Sequence, residues 1–374
     1  MEATTIFLFG LGLVFLVAGA ESLVRGASRL AATVGISPLV IGLTVVAFGT
    51  SAPELAVSVS SSLGGNEGVA IGNVVGSNLF NVLVILGLSA TIAPLVVAQQ
   101  LVRIDVPLMI GASCLLLLLA LDHSIGRIDG AILFGSILVY TTWAIVHSRR
   151  ASREVVEEYS EEFGASDASA ARLALDAGRV LLGFAMLVLG ADWFVDGAIE
   201  AAEALGVSDL VIGLTIVAAG TSMPELATSV VAALRGERDI AVGNIVGSNL
   251  FNLLAVLGAA GLVAPDGVEV PDSALRVDLP VMTAVAVACL PVFFAGHVIT
   301  RWNGLMFLAL YAGYATYLYF DATDRGALGP FAVAMLGFVL PLVAVTITTV
   351  AVRAWRLERR ERRGALAGLE GGSG

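Results

Sequence analysis

The chain has 374 residues, of which 57% are hydrophobic and only 14% charged, with a mean hydropathy of +0.92 and a formal net charge of −11. A soluble domain is nearer half apolar and a quarter charged, so this balance excludes an ordinary water-soluble protein and makes the lipid bilayer the expected surroundings. All twenty basic residues are arginine, and the acidic excess gives no reason to expect a nucleic-acid partner.

A helix needs roughly 20 apolar residues to cross a hydrocarbon core about 30 Å thick. Runs of that kind lie at 4–24, 38–62, 69–95, 105–121, 130–147, 179–199, 210–234, 239–264, 279–296, 303–320 and 330–352, which predicts eleven spans. The first run lacks a basic flank and is too long for a signal-peptide core, so it is expected to be a retained helix. Cys114 and Cys289 sit inside apolar runs and read as small packing residues.

Eleven spans put the two termini on opposite sides. With the N-terminus outside, the cytoplasmic loops and tail hold seventeen arginines, including Arg149, Arg150, Arg153, Arg235 and the tail from Arg353 to Arg363. Only Arg127, Arg276 and Arg325 remain outside. This asymmetry predicts a multi-pass protein of the cell membrane, N-terminus outside and C-terminus cytoplasmic.

The chain also repeats itself. GAESLVRGASRLAATVGISPLVIGLTVVAFGTSAPELAVSV at 19–59 matches GADWFVDGAIEAAEALGVSDLVIGLTIVAAGTSMPELATSV at 190–230. AIGNVVGSNLFNVLVILG at 70–87 matches AVGNIVGSNLFNLLAVLG at 241–258 at the same offset. Fainter echoes pair RIDVPLM at 103–109 with RVDLPVM at 276–282, and His123, Arg127 and Gly130 with His297, Arg301 and Gly304. The expected organisation is a first five-helix repeat at 1–148, a cytoplasmic linker at 149–178, a second five-helix repeat at 179–320, and an eleventh helix with its arginine-rich tail at 321–374. Five is odd, so the second repeat enters the membrane from the opposite side. The fold class is thus all-α and polytopic, with two inverted repeats, the architecture of many secondary transporters.

Each repeat carries a carboxylate near the middle of an apolar run, in Gly49-Thr50-Ser51-Ala52-Pro53-Glu54 and Gly220-Thr221-Ser222-Met223-Pro224-Glu225. Ionisable groups at that depth are costly and normally line a functional path. Thr50 and Ser51 share a helix face with Glu54, and Thr221 and Ser222 share one with Glu225. Pro53 and Pro224 lack an N–H and are expected to loosen the helix, freeing carbonyl oxygens. The next spans add the stripes Asn73, Ser77, Asn81 and Asn244, Ser248, Asn252, each with four-residue spacing. Asn78 and Asn249 lie off the stripes and read as helix-packing residues. The resulting all-oxygen set suits a hard cation, and two negative charges balance one Ca2+. An empty, doubly charged site would be strongly disfavoured from crossing a low-dielectric barrier, which makes exchange the expected transport mode.

The paired GTSAPEL/GTSMPEL and GNVVGSNLFN/GNIVGSNLFN segments resemble the alpha-repeats of the Ca2+/cation antiporter superfamily, specifically the prokaryotic sodium/calcium exchangers. The resemblance is strong over about 18–90 and 189–261. It implies a non-enzymatic antiporter with Ca2+ and Na+ as transported ions, no cofactor and no obligate protein partner. A H+/Ca2+ antiporter on the same scaffold is the alternative. It also implies ion ligands at Glu54, Thr50, Ser51, Ser77 and Asn81, and at Glu225, Thr221, Ser222, Ser248 and Asn252, with the backbone carbonyls of Ala47 and Ala218 completing Na+ sites. Some relatives carry Asp where this chain has Asn252, and the K+-dependent branch of the superfamily also places an acid there, so Asn252 argues against K+ co-transport.

Overall fold

The computed structural model describes residues 3–65, 67–151, 170–205 and 218–323, with the isolated positions 216, 348 and 352. In chain order these form α1 (Ala3–Val34), α2 in two segments (Pro38–Thr50 and Ala52–Leu63), α3 (Gly68–Ile92), α4 (Leu101–Asp122) and α5 (Arg127–Ala151). There follow α6 (Ala170–Ala204), α7 (Ala218–Gly220 and Met223–Leu234), α8 (Arg238–Val263), α9 (Ala274–Phe294) and α10 (Arg301–Ala322). Seven of the described helices are long and apolar enough to cross a membrane, and α2 adds an eighth if its two segments form one span. In α10 four tyrosines, Tyr311, Tyr314, Tyr317 and Tyr319, dilute the apolar character. The all-α class holds. Helices α5 and α6 continue into both ends of the stretch read as a linker; its middle, 152–169, lies outside the described residues, as does nearly all of the expected eleventh helix.

Among the described residues four two-residue strands, not expected from the sequence, tie the loops together: β1 (Leu95–Val96), β2 (Ser124–Ile125), β3 (Val268–Glu269) and β4 (Val298–Ile299). β1 pairs antiparallel with β4, Leu95 opposite Ile299, and β2 pairs with β3, Ser124 opposite Glu269. Two histidines of the faint echo, His123 (φ 66°) and His297 (φ 52°), turn the chain from helix into β2 and β4. The pairing fixes directions. β1 and β4 bring the C-terminal ends of α3 and α9 to one face, and β2 and β3 bring those of α4 and α8 to the other. Because α3 and α4 run in opposite directions, the equivalent helices α3 and α8 do so too, which is the inversion the repeat demands.

The central window of α8 is 100% buried and that of α3 is 72% buried, against 28% for α1, α5 and α6. The polar GN-V-GSN-LFN helices thus form the centre, with apolar helices between them and lipid. Both α3 and α8 contain a π-helical turn, Asn81–Leu86 and Phe251–Val256. Such turns often mark functional sites, because the extra residue leaves backbone groups out of the regular ladder.

α1 and α6 stand apart from this centre as a long antiparallel pair. At 32 and 35 residues they extend about 48 and 52 Å, well beyond a 30 Å hydrocarbon core, so they must tilt. Their seam is made by glycines seven residues apart, Gly12, Gly19 and Gly26 against Gly183, Gly190 and Gly197. A Cβ on Gly190 would stand 2.8 Å from the Leu16 nitrogen and 2.9 Å from the Gly12 carbonyl oxygen, so the backbones touch directly. Small-residue seams of this kind hold membrane helices together by close packing.

Candidate functional site

The two GTS-x-PE motifs break their helices in the same way. α2 bends by 45° at Ser51, whose backbone (φ −80°, ψ 8°) leaves the helical region, and Ser222 of α7 does the same (φ −89°, ψ 8°). Pro53 and Pro224 then open the next helical segment, where a missing N–H costs nothing because the first turn has no partner for it. Each break therefore puts its glutamate in the first turn of a new helix, where the helix dipole favours negative charge.

The carboxylates are fully buried and are held from opposite repeats. Ser222 donates to Glu54 Oε1 at 3.0 Å, and Ser51 donates to Glu225 Oε1 at 3.1 Å. Ser77 of α3 adds a second donor to Glu54 Oε1 at 3.4 Å. The reciprocal serine bonds make one site of the two motifs. Thr50 donates to Asn244 Oδ1 at 3.1 Å and lies 3.4 Å from the Ser248 hydroxyl. Thr221 donates to Asn73 Oδ1 at 3.3 Å.

Among the described residues, the buried oxygens without a hydrogen-bond partner include those of Ser62, Asn78, Ser89 and Thr228, and four on the expected ligands: Glu54 Oε2, Glu225 Oε2, Asn81 Oδ1 and Asn252 Oδ1. These four come one each from α2, α7, α3 and α8. A buried acceptor left unpaired costs about 1–3 kcal/mol, more when charged. A hard cation is the partner that would satisfy carboxylate and amide oxygens together. Among the described residues no group of three His, Cys, Asp or Glu side chains forms a metal cluster, so the site depends on hydroxyls and amides beside its two acids.

The structure brings Glu54, Ser77 and Ser222 together, and likewise Glu225 with Ser51, and Thr50 with Ser248. Asn81 instead donates to Asn249 Oδ1 at 3.1 Å, while both polar atoms of Asn252 are unpaired. The carbonyl of Ala47 accepts the Ser51 amide at 2.9 Å and, more weakly, the Thr50 hydroxyl at 3.4 Å. In the other repeat the Ser222 amide bonds Ala219, one residue past the equivalent Ala218. Asn78 and Asn249 reach the thioethers of Met282 and Met109, at 3.6 and 3.4 Å, and so sit at helix packing contacts.

Two further residues complete the scaffold. Asn73 donates to the Glu54 carbonyl at 3.1 Å and to Ser58 at 3.0 Å, and Asn244 donates to Ser229 at 3.0 Å. Ser58 and Ser229 were not in the expected set. The signal was present, since each lies four residues beyond its glutamate, on the same helix face and identical in both repeats.

The cover over the two broken helices is unequal. α1 packs along Met223–Leu234 of α7, whereas among the described residues α6 has no comparable run along Ala52–Leu63 of α2 and meets α2 at the break. Val57 is 39% exposed while its equivalent, Thr228, is fully buried. The uncovered stretch carries Ser60 and Ser61 where the covered one has Val231 and Ala232.

Two inverted repeats, each contributing a broken helix with a buried carboxylate, define a secondary transporter of cations. A family model described as sodium/calcium exchanger protein matches residues 4–146 and 176–320. The chain is 37% identical over 326 residues to the putative antiporter CaxA of Alkalimonas amylolytica, covering 86% of this chain and all of that one. It is 33% identical to the sodium/calcium exchanger MaX1 of Methanosarcina acetivorans, covering 83% and 97%. Among solved structures, the sodium-calcium exchanger NCX_Mj superposes with a TM-score of 0.72 at 31% identity, over 83% of this chain and 98% of that one. The chain belongs to the sodium/calcium exchanger family. It is a multi-pass membrane antiporter of Ca2+ and a counter-cation, and not an enzyme.

Proposed function

We propose that the counter-cation is Na+ and that the protein exchanges it for Ca2+ at the site built on Glu54 and Glu225. The observation that carries this reading is the reciprocal pair of serine bonds, which leaves the second oxygen of each carboxylate without a partner. Thr50, Ser51, Ser77 and Asn81, with their equivalents Thr221, Ser222, Ser248 and Asn252, supply the neutral oxygens, and the carbonyls of Ala47 and Ala218 add to them. Two carboxylates are compensated by one Ca2+ or by Na+ ions, while the uncompensated pair is held back from crossing. Binding is thereby coupled to movement. The relatives named for sodium/calcium exchange support Na+ as the partner.

The arginine asymmetry supports a cell-membrane location with the N-terminus outside and the C-terminus cytoplasmic, and repeats at 1–148 and 179–320. In that orientation the uncovered half of α2 faces outside and the covered half of α7 faces the cytoplasm. The present conformation is then the one whose access path leads outward, and rocking of the α1–α6 pair over the four central helices provides the alternative.

Ca2+ uptake into proteoliposomes tests the reading. Uptake into Na+-loaded vesicles, absent from K+- or choline-loaded ones, is the expected result. Uptake driven instead by an outward proton gradient would move the protein to H+ coupling.

A further inference from the structure

The two broken helices differ in one charged contact. Arg235, which caps the C-terminal end of α7, pairs with Glu21 of α1, and Glu21 also pairs with Arg25 one turn further along α1. The repeat relation maps Glu21 to Asp192, Arg25 to Asp196 and Arg235 to Gly64. On the second face the acid is kept, but both guanidinium groups are missing: one is replaced by a second acid and the other by glycine. The same face is the one on which α6 leaves the outer half of α2 uncovered.

We propose that Glu21 and Arg235 form a one-sided latch that holds α1 over the cytoplasmic half of α7 and biases the exchanger toward its outward-facing conformation. This rests on the orientation and alternating access proposed above. The latch spans the two bodies that must separate for the cytoplasmic path to open, since Glu21 belongs to the α1–α6 pair and Arg235 to the central bundle. Its side chains are partly exposed, at 25% and 46%, so the pair is screened and shifts the equilibrium by a small factor without locking it. A modest bias is what a transporter can tolerate, because a deep well on one side would stall the cycle. Among the described residues the outward path has no matching ion pair: closure there would bring Asp192 and Asp196 toward a glycine. Arg25 keeps Glu21 oriented while Arg235 moves away, so the acid is ready to re-engage.

Cysteine accessibility tests the latch in the full chain, with Cys114 and Cys289 replaced by alanine and a membrane-impermeant maleimide applied from either side. The reporters are Val57→Cys on the uncovered half of α2 and, separately, its equivalent Thr228→Cys on the covered half of α7. Arg235→Gln and Glu21→Gln are each expected to raise cytoplasmic labelling of the Thr228 reporter by about threefold to fivefold and to lower outside labelling of the Val57 reporter. The double variant should do no more than either single one, and Arg235→Lys should keep the original pattern. Gly64→Arg, which supplies the missing cation opposite Asp192, should shift labelling in the same direction as latch removal with Arg235 intact. Gly64 has a right-handed backbone (φ −83°, ψ −1°) that accepts a side chain. Unchanged labelling in Arg235→Gln, Glu21→Gln and Gly64→Arg, in protein that still transports Ca2+, would overturn the latch. The readout does not depend on the driving ion, so shifted labelling without Na+-dependent flux would uphold the latch while removing the Na+ reading.

Discussion

α2 and α7 have nearly the same sequence around their breaks and nearly the same geometry at them, yet their surroundings differ. Ser51 and Ser222 leave the helix with backbone angles within ten degrees of each other, and each donates to the other repeat's glutamate. Beyond the breaks, α7 is covered by α1 and α2 is left open by α6. The comparison teaches that ligand geometry is written locally, by Gly-Thr-Ser-x-Pro-Glu in each repeat, whereas the conformational state is written by how the long helix pair rests on both. A symmetric site within an asymmetric cover is what alternating access requires of an inverted repeat.

The largest expected effect tests the symmetric part. Glu54→Gln and Glu225→Gln should each reduce Ca2+ flux by about a hundredfold or more, since each removes a buried charge from a paired site. Flux assays in proteoliposomes check this, and a variant that keeps most of its flux would show that the two carboxylates are not equivalent. Next come the serines. Ser51→Ala and Ser222→Ala each delete a hydrogen bond to a carboxylate and should weaken apparent Ca2+ affinity by about tenfold, to similar extents. Dissimilar losses, read from the Ca2+ dependence of flux, would place the cation nearer one repeat.

The asymmetric part is sharpened by the glycine seam. Gly190→Leu forces apart backbones that now touch, and should slow exchange by about fivefold while Ca2+ binding to the purified protein persists. Gly178→Leu on the same helix meets open space and serves as the control. Loss of binding along with flux in Gly190→Leu would mean that the helix pair also shapes the site. The smallest effect is expected at Asn78→Ala, which removes a contact to the Met282 sulfur and should change flux by less than about twofold.

Much of this was legible in the sequence for a specific physical reason. Carboxylates, hydroxyls and amides inside apolar runs are so costly that their presence at matched positions around Glu54 and Glu225 marks a candidate site from the sequence alone. The inversion followed from counting five helices per repeat. What could not be read was set by tertiary packing. Nothing in the periodicity of 70–87 announces the wide turn that begins at Asn81, because π-helical turns arise where packing forces in an extra residue. The short β1–β4 and β2–β3 pairings depend on loops that meet only once the repeats interlock. Ser58 and Ser229 were visible as identical residues but gained their role only when Asn73 and Asn244 were seen to reach them. The unequal cover lies outside the reach of two near-identical motifs, since it belongs to α1 and α6.

Equilibrium Ca2+ binding to the purified, detergent-solubilised protein tests the central claim most directly, measured with and without Na+ in wild type and in the Glu54→Gln, Glu225→Gln double variant. The account predicts saturable Ca2+ binding that Na+ displaces and K+ does not, and that is absent from the double variant. Ca2+ binding that survives in the double variant would place the ion elsewhere and contradict the assignment of the site.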